Sequence, residues 1–159
     1  CMLILLSFVT VNAQEKKELK EGDQAPTFKY LDINGKEVSL SDLKGKYVYI
    51  DVWATWCGPC QYELPHLKEL EKKMHGKKIV FVSISCDKDK AAWEKMVKEQ
   101  GLGGVQLHNG GDREFMTAFG IRGIPRFILL DKEGKIVNPN MTRPSNPETE
   151  KTLKALKGI

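Results

Sequence analysis

The 159-residue sequence lacks the features that would mark a zinc or nucleic-acid protein. It has four cysteines and three histidines, with one Cys-x-x-Cys pair, no second pair and no His-x3–5-His spacing. Structural zinc takes about four such ligands, so the pair does not indicate a zinc site, and we expect no metal. The net charge of +4 is dispersed, without a basic stripe between aromatics, so we expect no nucleic-acid partner.

Long apolar runs are also missing, except at the N-terminus. Residues 2–11 are nearly all apolar, and Ala13 ends a short stretch typical of a signal-peptide cleavage site. This run is too short to span a bilayer comfortably. We therefore predict an N-terminally incomplete signal peptide over 1–13, a charged flexible tether over 14–22 and one domain over 23–159.

Two other interpretations of this end remain open. The apolar run could be a strand of the domain, or Cys1 could carry a lipid, although apolar sequence directly after Cys1 argues against an anchor. Export would place the protein in the periplasm or another extracytoplasmic compartment. A retained N-terminal segment would tether it to the membrane.

The most informative segment is WATWCGPC, in which Cys57 and Cys60 are separated by two residues. An apolar run over 47–53 predicts a buried strand, and the pattern over 58–74 predicts a helix. Both thiols then lie in the first turn of that helix, where free N–H groups and the helix dipole favour a thiolate. Pro59 fits this position because it lacks an N–H. Such a pair can alternate between dithiol and disulfide, which predicts thiol–disulfide exchange.

The remaining pattern alternates strands and helices, which favours a three-layer α/β sandwich. Asn34-Gly35 predicts a two-residue hairpin turn. Strands are predicted over 28–33, 36–40, 78–85, 105–107, 127–130 and 135–137. Helices are predicted over 89–100, 113–119 and 148–157.

The segments WATWCGPCQYELP (53–65), GIPRF (123–127) and APTFKYLDINGKEVSLSDLKGK (25–46) resemble thioredoxins, and more closely the TlpA/ResA-like exported disulfide reductases. The resemblance covers roughly residues 20–158. It implies a thioredoxin-like α/β/α sandwich with a mixed central sheet and an N-terminal β-hairpin. It also implies reduction of protein disulfides.

The two thiols are expected to have different roles. Cys57 lies nearest the helix N-terminus and is the expected nucleophile, whereas Cys60, one turn deeper, is the expected resolving thiol. The redox disulfide would be Cys57–Cys60.

Resolution requires Cys60 to lose a proton, which a carboxylate of raised pKa could accept. Asp51 matches the buried aspartate of thioredoxin. Glu63, three residues after Cys60, matches a glutamate of the TlpA/ResA-like branch, which commonly has a neutral residue at the position of Asp51. A solvated position remains the alternative for each carboxylate.

The resemblance also implies a substrate-binding surface around Cys57. In thioredoxin-like proteins the matching Ile-Pro bond is cis and faces the cysteine pair, so we expect the same of Ile124–Pro125. Trp56 is expected to form a wall of the site. The expected substrate-binding residues are Trp56, Gly58, Pro59, Gly123, Ile124 and Pro125. Cys86 ends a strand at the same sheet edge, and we interpret it as a small buried apolar residue, with a third redox thiol as the alternative.

The predicted function is an exported thiol–disulfide oxidoreductase, a monomer without a cofactor, acting on disulfide-containing client proteins. By resemblance, a membrane thiol transporter would supply its electrons. A peroxiredoxin-type peroxidase is one alternative, but its P-x-x-x-T-x-x-C pattern is absent. A copper-binding assembly protein is another, but that branch uses Cys-x-x-x-Cys.

Overall fold

The computed structural model describes residues 18–159; the predicted signal peptide and residues 14–17 of the predicted tether lie outside this range. The strands are β1 Lys29–Asp32, β2 Glu37–Ser39, β3 Tyr47–Trp53, β4 Ile79–Ser85, β5 Val105–His108, β6 Arg126–Leu130 and β7 Ile136–Asn138. The helices are α1 Gly58–Lys73, α2 Lys90–Gln100, α3 Glu114–Ala118 and α4 Pro147–Lys154, with a short 3-10 helix at Leu40–Leu43.

The strands form one mixed sheet in the order β2-β1-β5-β4-β3-β6-β7. Strands β3, β4 and β5 pair in parallel, whereas β1, β2, β6 and β7 join through antiparallel pairs. The predicted three-layer sandwich with a mixed sheet and an N-terminal hairpin is confirmed. The parallel strands bring the ends of β3 and β4 to one edge, where the cysteine pair follows β3.

Strand β3 is buried at every position because helices cover both of its faces. Alternate residues such as Val48 and Ile50 pack in the cluster that contains α3 residues. Tyr49 and Trp53 face the other side, where residues of α1, α2 and α4 pack. Side chains two residues apart share a face, so Asp51 lies on the α1 side of the sheet.

The β1–β2 hairpin differs from the two-residue turn predicted at Asn34-Gly35. Asp32 N–H donates to the carbonyl of Lys36, so the loop contains three residues. A two-residue type I′ turn needs positive φ at both positions, but only Gly35 has it, at 79°. Asp32 Oδ1 accepts the N–H groups of both Asn34 and Lys36 at 2.8 Å, which stabilises the longer loop.

The described end of the predicted tether contacts the domain. Leu19 packs against the larger core cluster, and Gly22 N–H donates to the Ile136 carbonyl at 2.8 Å. Gln24 then forms an antiparallel bridge with Lys135. Packing between the N-terminal segment and β7 therefore begins before residue 23.

Within residues 18–159, no helix combines the length and apolar character that crossing a membrane requires.

Candidate active site

Cys57 and Cys60 form a disulfide at the start of α1. Cys57 is the N-cap residue of this helix, with extended backbone angles, and its Sγ accepts the Cys60 N–H at 3.2 Å. Pro59 occupies the first helical turn, where its missing N–H leaves no donor unsatisfied. The predicted pair and its place at the helix start are therefore both present.

The sulfurs are largely covered, but their surroundings are open. Cys57 is 5% exposed and Cys60 is 2% exposed, whereas the neighbouring Trp56 is 69% exposed. Gly58 and Pro59 are also exposed. The covered sulfurs thus lie beside a solvent-facing apolar ring.

The segment before β6 lies against Cys57 from across the sheet edge. Cys57 Sγ is 3.8 Å from the Ile124 carbonyl oxygen, and the Ile124–Pro125 peptide bond is cis, as the resemblance implies. Ile124 and Pro125 are partly buried, while Gly123 is exposed. Backbone groups of this segment are therefore within reach of a molecule bonded to Cys57.

A cavity of about 660 Å³ adjoins this edge. Trp56 and Ile124 line it on the side of the disulfide, and Cys86 forms part of its wall. Its lining also includes Lys88, Arg113 and Arg122. The cavity therefore opens next to Trp56 and Ile124, the residues that flank Cys57.

The turn between β3 and α1 is held by Asp87, which the sequence analysis missed. Thr55 donates to its carboxylate through both N–H and Oγ1, at 3.0 Å and 2.6 Å, and Ser85 Oγ donates at 2.7 Å. His108 Nε2 lies 2.9 Å from the Asp87 carbonyl, while its Nδ1 accepts the N–H of Gly110. These contacts anchor the residues that immediately precede Cys57.

Cys86 is a half-buried free thiol. Burial raises its pKa, and the nearby charge of Asp87 raises it further. Its N–H donates to the Trp53 carbonyl at 2.9 Å, which fixes it next to the active-site turn. A raised pKa disfavours the reactive thiolate, which supports the interpretation as a small apolar residue.

Asp51 is buried beneath α1, at 4% exposure, so the solvent-facing alternative is wrong. Ser83 Oγ donates to its Oδ1 at 2.5 Å. Burial raises the pKa of Asp51 to about 7, and the charge of Glu71 also raises it, whereas the Ser83 hydrogen bond lowers it. A carboxyl with this pKa can exchange a proton at neutral pH.

Glu63 is also buried, at 3% exposure, so its solvated alternative is wrong too. Its carboxylate accepts the N–H of Ser145 at 2.9 Å and the Ser145 hydroxyl at 2.8 Å. These bonds connect α1 to the loop before α4, across 82 positions of sequence. Among the described residues, the hydrogen bonds of Glu63 and of Asp51 thus lead to different partners.

A row of polar side chains crosses the sheet beneath α1. Asp51 on β3 pairs in register with Ser83 on β4, and Ser83 pairs with Gln106 on β5. Gln106 is 4% exposed, and its Nε2 donates to the Gly103 carbonyl at 2.7 Å. Its Oε1 is buried and has no hydrogen-bond partner within residues 18–159. Polar residues inside two apolar strands were the available sequence signal for this row.

Glu71 of α1 lies at the far end of the row. Its Oε2 approaches Gly103 so closely that a Cβ there would lie only 2.5 Å away, and a Cβ on Gly104 would lie 3.2 Å from Oε1. Burial raises the pKa of Glu71 to about 7, while the nearby Lys68 lowers it. The two glycines therefore allow a carboxyl to pack against the start of β5.

The chain matches the Redoxin family over residues 20–156. It belongs to this family. Among curated relatives, thiol-disulfide oxidoreductase ResA of Bacillus anthracis is 32% identical over 143 residues, which cover 89% of this chain and 82% of the relative. ResA of Bacillus subtilis is 32% identical over 138 residues, covering 86% and 76%.

Solved structures support the same family. A solution structure from Bacteroides vulgatus, described as a candidate thiol-disulfide oxidoreductase, is 66% identical with a TM-score of 0.76, covering 82% of this chain and 86% of that one. The crystallised thioredoxin domain of another Bacteroides vulgatus oxidoreductase is 31% identical with a TM-score of 0.79, covering 86% and 97%. The chain is thus a TlpA/ResA-like thioredoxin-fold protein and a thiol–disulfide oxidoreductase.

The raised pKa of Asp51 predicts a pH-dependent stability difference for Asp51→Asn. Because its folded pKa exceeds the unfolded value of about 3.9, the folded state holds an extra proton between these values, and stability falls as pH rises through about 7. The neutral amide removes this penalty. We expect Asp51→Asn to match the parent near pH 4 and to gain on the order of 4 kcal/mol by pH 8.

Urea unfolding at pH 4, 6 and 8 measures this difference. The exposed Glu69→Gln on α1 serves as the control and should follow the parent at each pH. A constant offset between Asp51→Asn and the parent across this range would contradict the assignment.

Proposed function

We propose that the protein is an exported reductase of protein disulfides that cycles through the Cys57–Cys60 pair. The observation that carries the proposal is a disulfide at a helix N-terminus, bordered by exposed Trp56 and an open cavity. A structural disulfide has no need of such access. The Cys60 N–H that donates to Cys57 Sγ favours a role in exchange.

Cys57 is the attacking thiol. As a thiolate at the N-cap, its Sγ accepts the Cys60 N–H and lies at the positive end of the α1 dipole. It attacks one sulfur of the client disulfide and forms a mixed disulfide, while the other client sulfur leaves as a thiolate.

Cys60 is the resolving thiol. It transfers its proton to a carboxylate, attacks Cys57 Sγ and forms the Cys57–Cys60 bond, so the second client sulfur leaves as a thiolate that takes a proton from water. Asp51 is the main proton acceptor because it lies on the face beneath α1 with a pKa of about 7. Glu63, buried three residues after Cys60, is the second acceptor.

The client binds across the sheet edge around Cys57. Trp56 supplies an apolar wall, and the exposed first turn of α1 leaves space for a polypeptide. Backbone groups near Ile124, which contact Cys57, are positioned to pair with the client chain. The full proposed surface comprises Trp56, Gly58, Pro59, Gly123, Ile124 and Pro125.

The cellular setting is part of the same proposal. A crystal structure from Chlorobium tepidum, described as a candidate thiol:disulfide interchange protein DsbE, is 27% identical with a TM-score of 0.75, covering 86% of this chain and 94% of that one. Together with the kinship to TlpA/ResA-like proteins, this likeness supports the proposal of an extracytoplasmic reductase. Its electron donor would be a membrane thiol transporter. It would act as a monomer, with residues 1–13 as its export signal.

Replacing the resolving thiol should trap the client. In Cys60→Ser, the mixed disulfide cannot be resolved internally, so a covalent adduct with a disulfide-bonded protein such as insulin should accumulate on Cys57. Non-reducing electrophoresis and peptide mass spectrometry locate the bond. The matched variant Cys57→Ser should give far less adduct, and preferential trapping on Cys60 would reverse the assigned roles.

Removing both proposed proton acceptors should slow resolution and spare the first attack. We expect Asp51→Asn/Glu63→Gln to resolve its mixed disulfide about 10²–10⁴-fold more slowly at neutral pH, the usual loss for a general base. Each single variant should show a smaller effect. Stopped-flow kinetics separate the two steps, and parental resolution rates from pH 6 to 8 would refute this role.

A further inference from the structure

Glu71 is a partly buried carboxyl that the proposed thiol chemistry does not use. It shares α1 with Cys60 but lies near the helix C-terminus, against Gly103 and Gly104. A carboxyl in this position loses hydration, and most glutamates avoid such sites. We therefore expect the Glu71 carboxyl to interact with polar groups on the sheet side of α1.

The sheet offers that partner through the polar row. Gly103, which Glu71 contacts, receives the hydrogen bond from Gln106, and Gln106 is in register with Ser83. Ser83 in turn donates to Asp51. Polar side chains in register on three neighbouring strands thus occupy the sheet face between the buried Asp51 and the half-buried Glu71.

Gln106 is an independent observation that this row lacks a hydrogen-bond donor. Its Oε1 is a buried acceptor without a donor among residues 18–159, and a buried unsatisfied acceptor costs about 1–3 kcal/mol. A protonated carboxyl or a water between the two carboxyls would supply the donor that this oxygen lacks. A protonated acid in the row is one donor that would satisfy this oxygen.

We propose that Glu71 and Asp51 form one coupled ionisable pair along the Asp51–Ser83–Gln106 row, with Glu71 as the positioning residue that tunes Asp51 as a base. The tuning role rests on the proposed function of Asp51. When Asp51 takes the proton of Cys60, a charged Glu71 stabilises the protonated acid. Loss of that proton to water then restores the base.

The other ionisable groups near the pair do not replace Glu71. Lys68, one turn earlier on α1, donates an N–H of its ammonium group to the Gln100 carbonyl. Tyr49, beside Asp51 on β3, has a strongly raised pKa because of burial and therefore stays neutral. Glu63 is hydrogen-bonded to Ser145, and Cys60 is held in the disulfide of the oxidised protein.

Carboxyl ¹³C NMR of the oxidised protein tests the coupling directly. The Asp51 signal, assigned by its loss in Asp51→Asn, is titrated in the parent, in Glu71→Gln and in the control Glu69→Gln. Removing the like charge should lower the Asp51 midpoint by about half a pH unit or more in Glu71→Gln alone. In Glu71→Asp, which retains the negative charge, the Asp51 midpoint should lie between those of Glu71→Gln and the parent.

An Asp51 midpoint that is equal in Glu71→Gln and Glu69→Gln overturns the pairing. This titration involves no client, so its outcome stands apart from whether the protein reduces protein disulfides. The pH profile of mixed-disulfide resolution is the second readout and should move to lower pH in Glu71→Gln by a matching amount. A shifted Asp51 titration with an unshifted kinetic profile overturns the tuning role.

Discussion

The arrangement depends on one capping interaction, in which Cys57 Sγ accepts the Cys60 N–H at the start of α1. This bond makes the proposed nucleophile part of the helix terminus, so the helix positions both sulfurs together. It also aims the Cys60 N–H at the sulfur that we propose carries negative charge, at the positive end of the helix dipole. Asp87 holds the preceding turn through Thr55, and the segment at Ile124 covers the sulfur from the other side.

The second constraint is the two-residue period of β3. Because side chains alternate between faces, Asp51 lies on the α1 side with Tyr49 and Trp53. Burial there raises the pKa of Asp51 to about 7, which suits proton exchange with a thiol at neutral pH. Keeping an ionised carboxyl in this position lowers the free energy of unfolding, as the raised pKa implies.

Local features were predictable because they depend on neighbouring residues. The apolar run of β3, the helix start at the cysteine pair and the alternation of strands with helices are all local patterns. The prediction of a two-residue hairpin turn was wrong because hydrogen bonds to the Asp32 side chain stabilise a longer loop than Asn34-Gly35 favours. The contact of Glu63 with Ser145 spans 82 positions and had no local signal. The positions of Gln106 and Glu71 relative to Asp51 depend on the register of β4 with β5, which has no local signal in the sequence.

The most direct test of the central claim is a stoichiometric reduction without any other reductant. The protein is reduced, freed of the reductant and mixed with excess insulin, and new insulin thiols are counted against Cys57–Cys60 disulfide formed. The account predicts one client disulfide reduced for each Cys57–Cys60 disulfide formed, and none in Cys57→Ser. Persistence of the reduced pair with no new insulin thiols would contradict it.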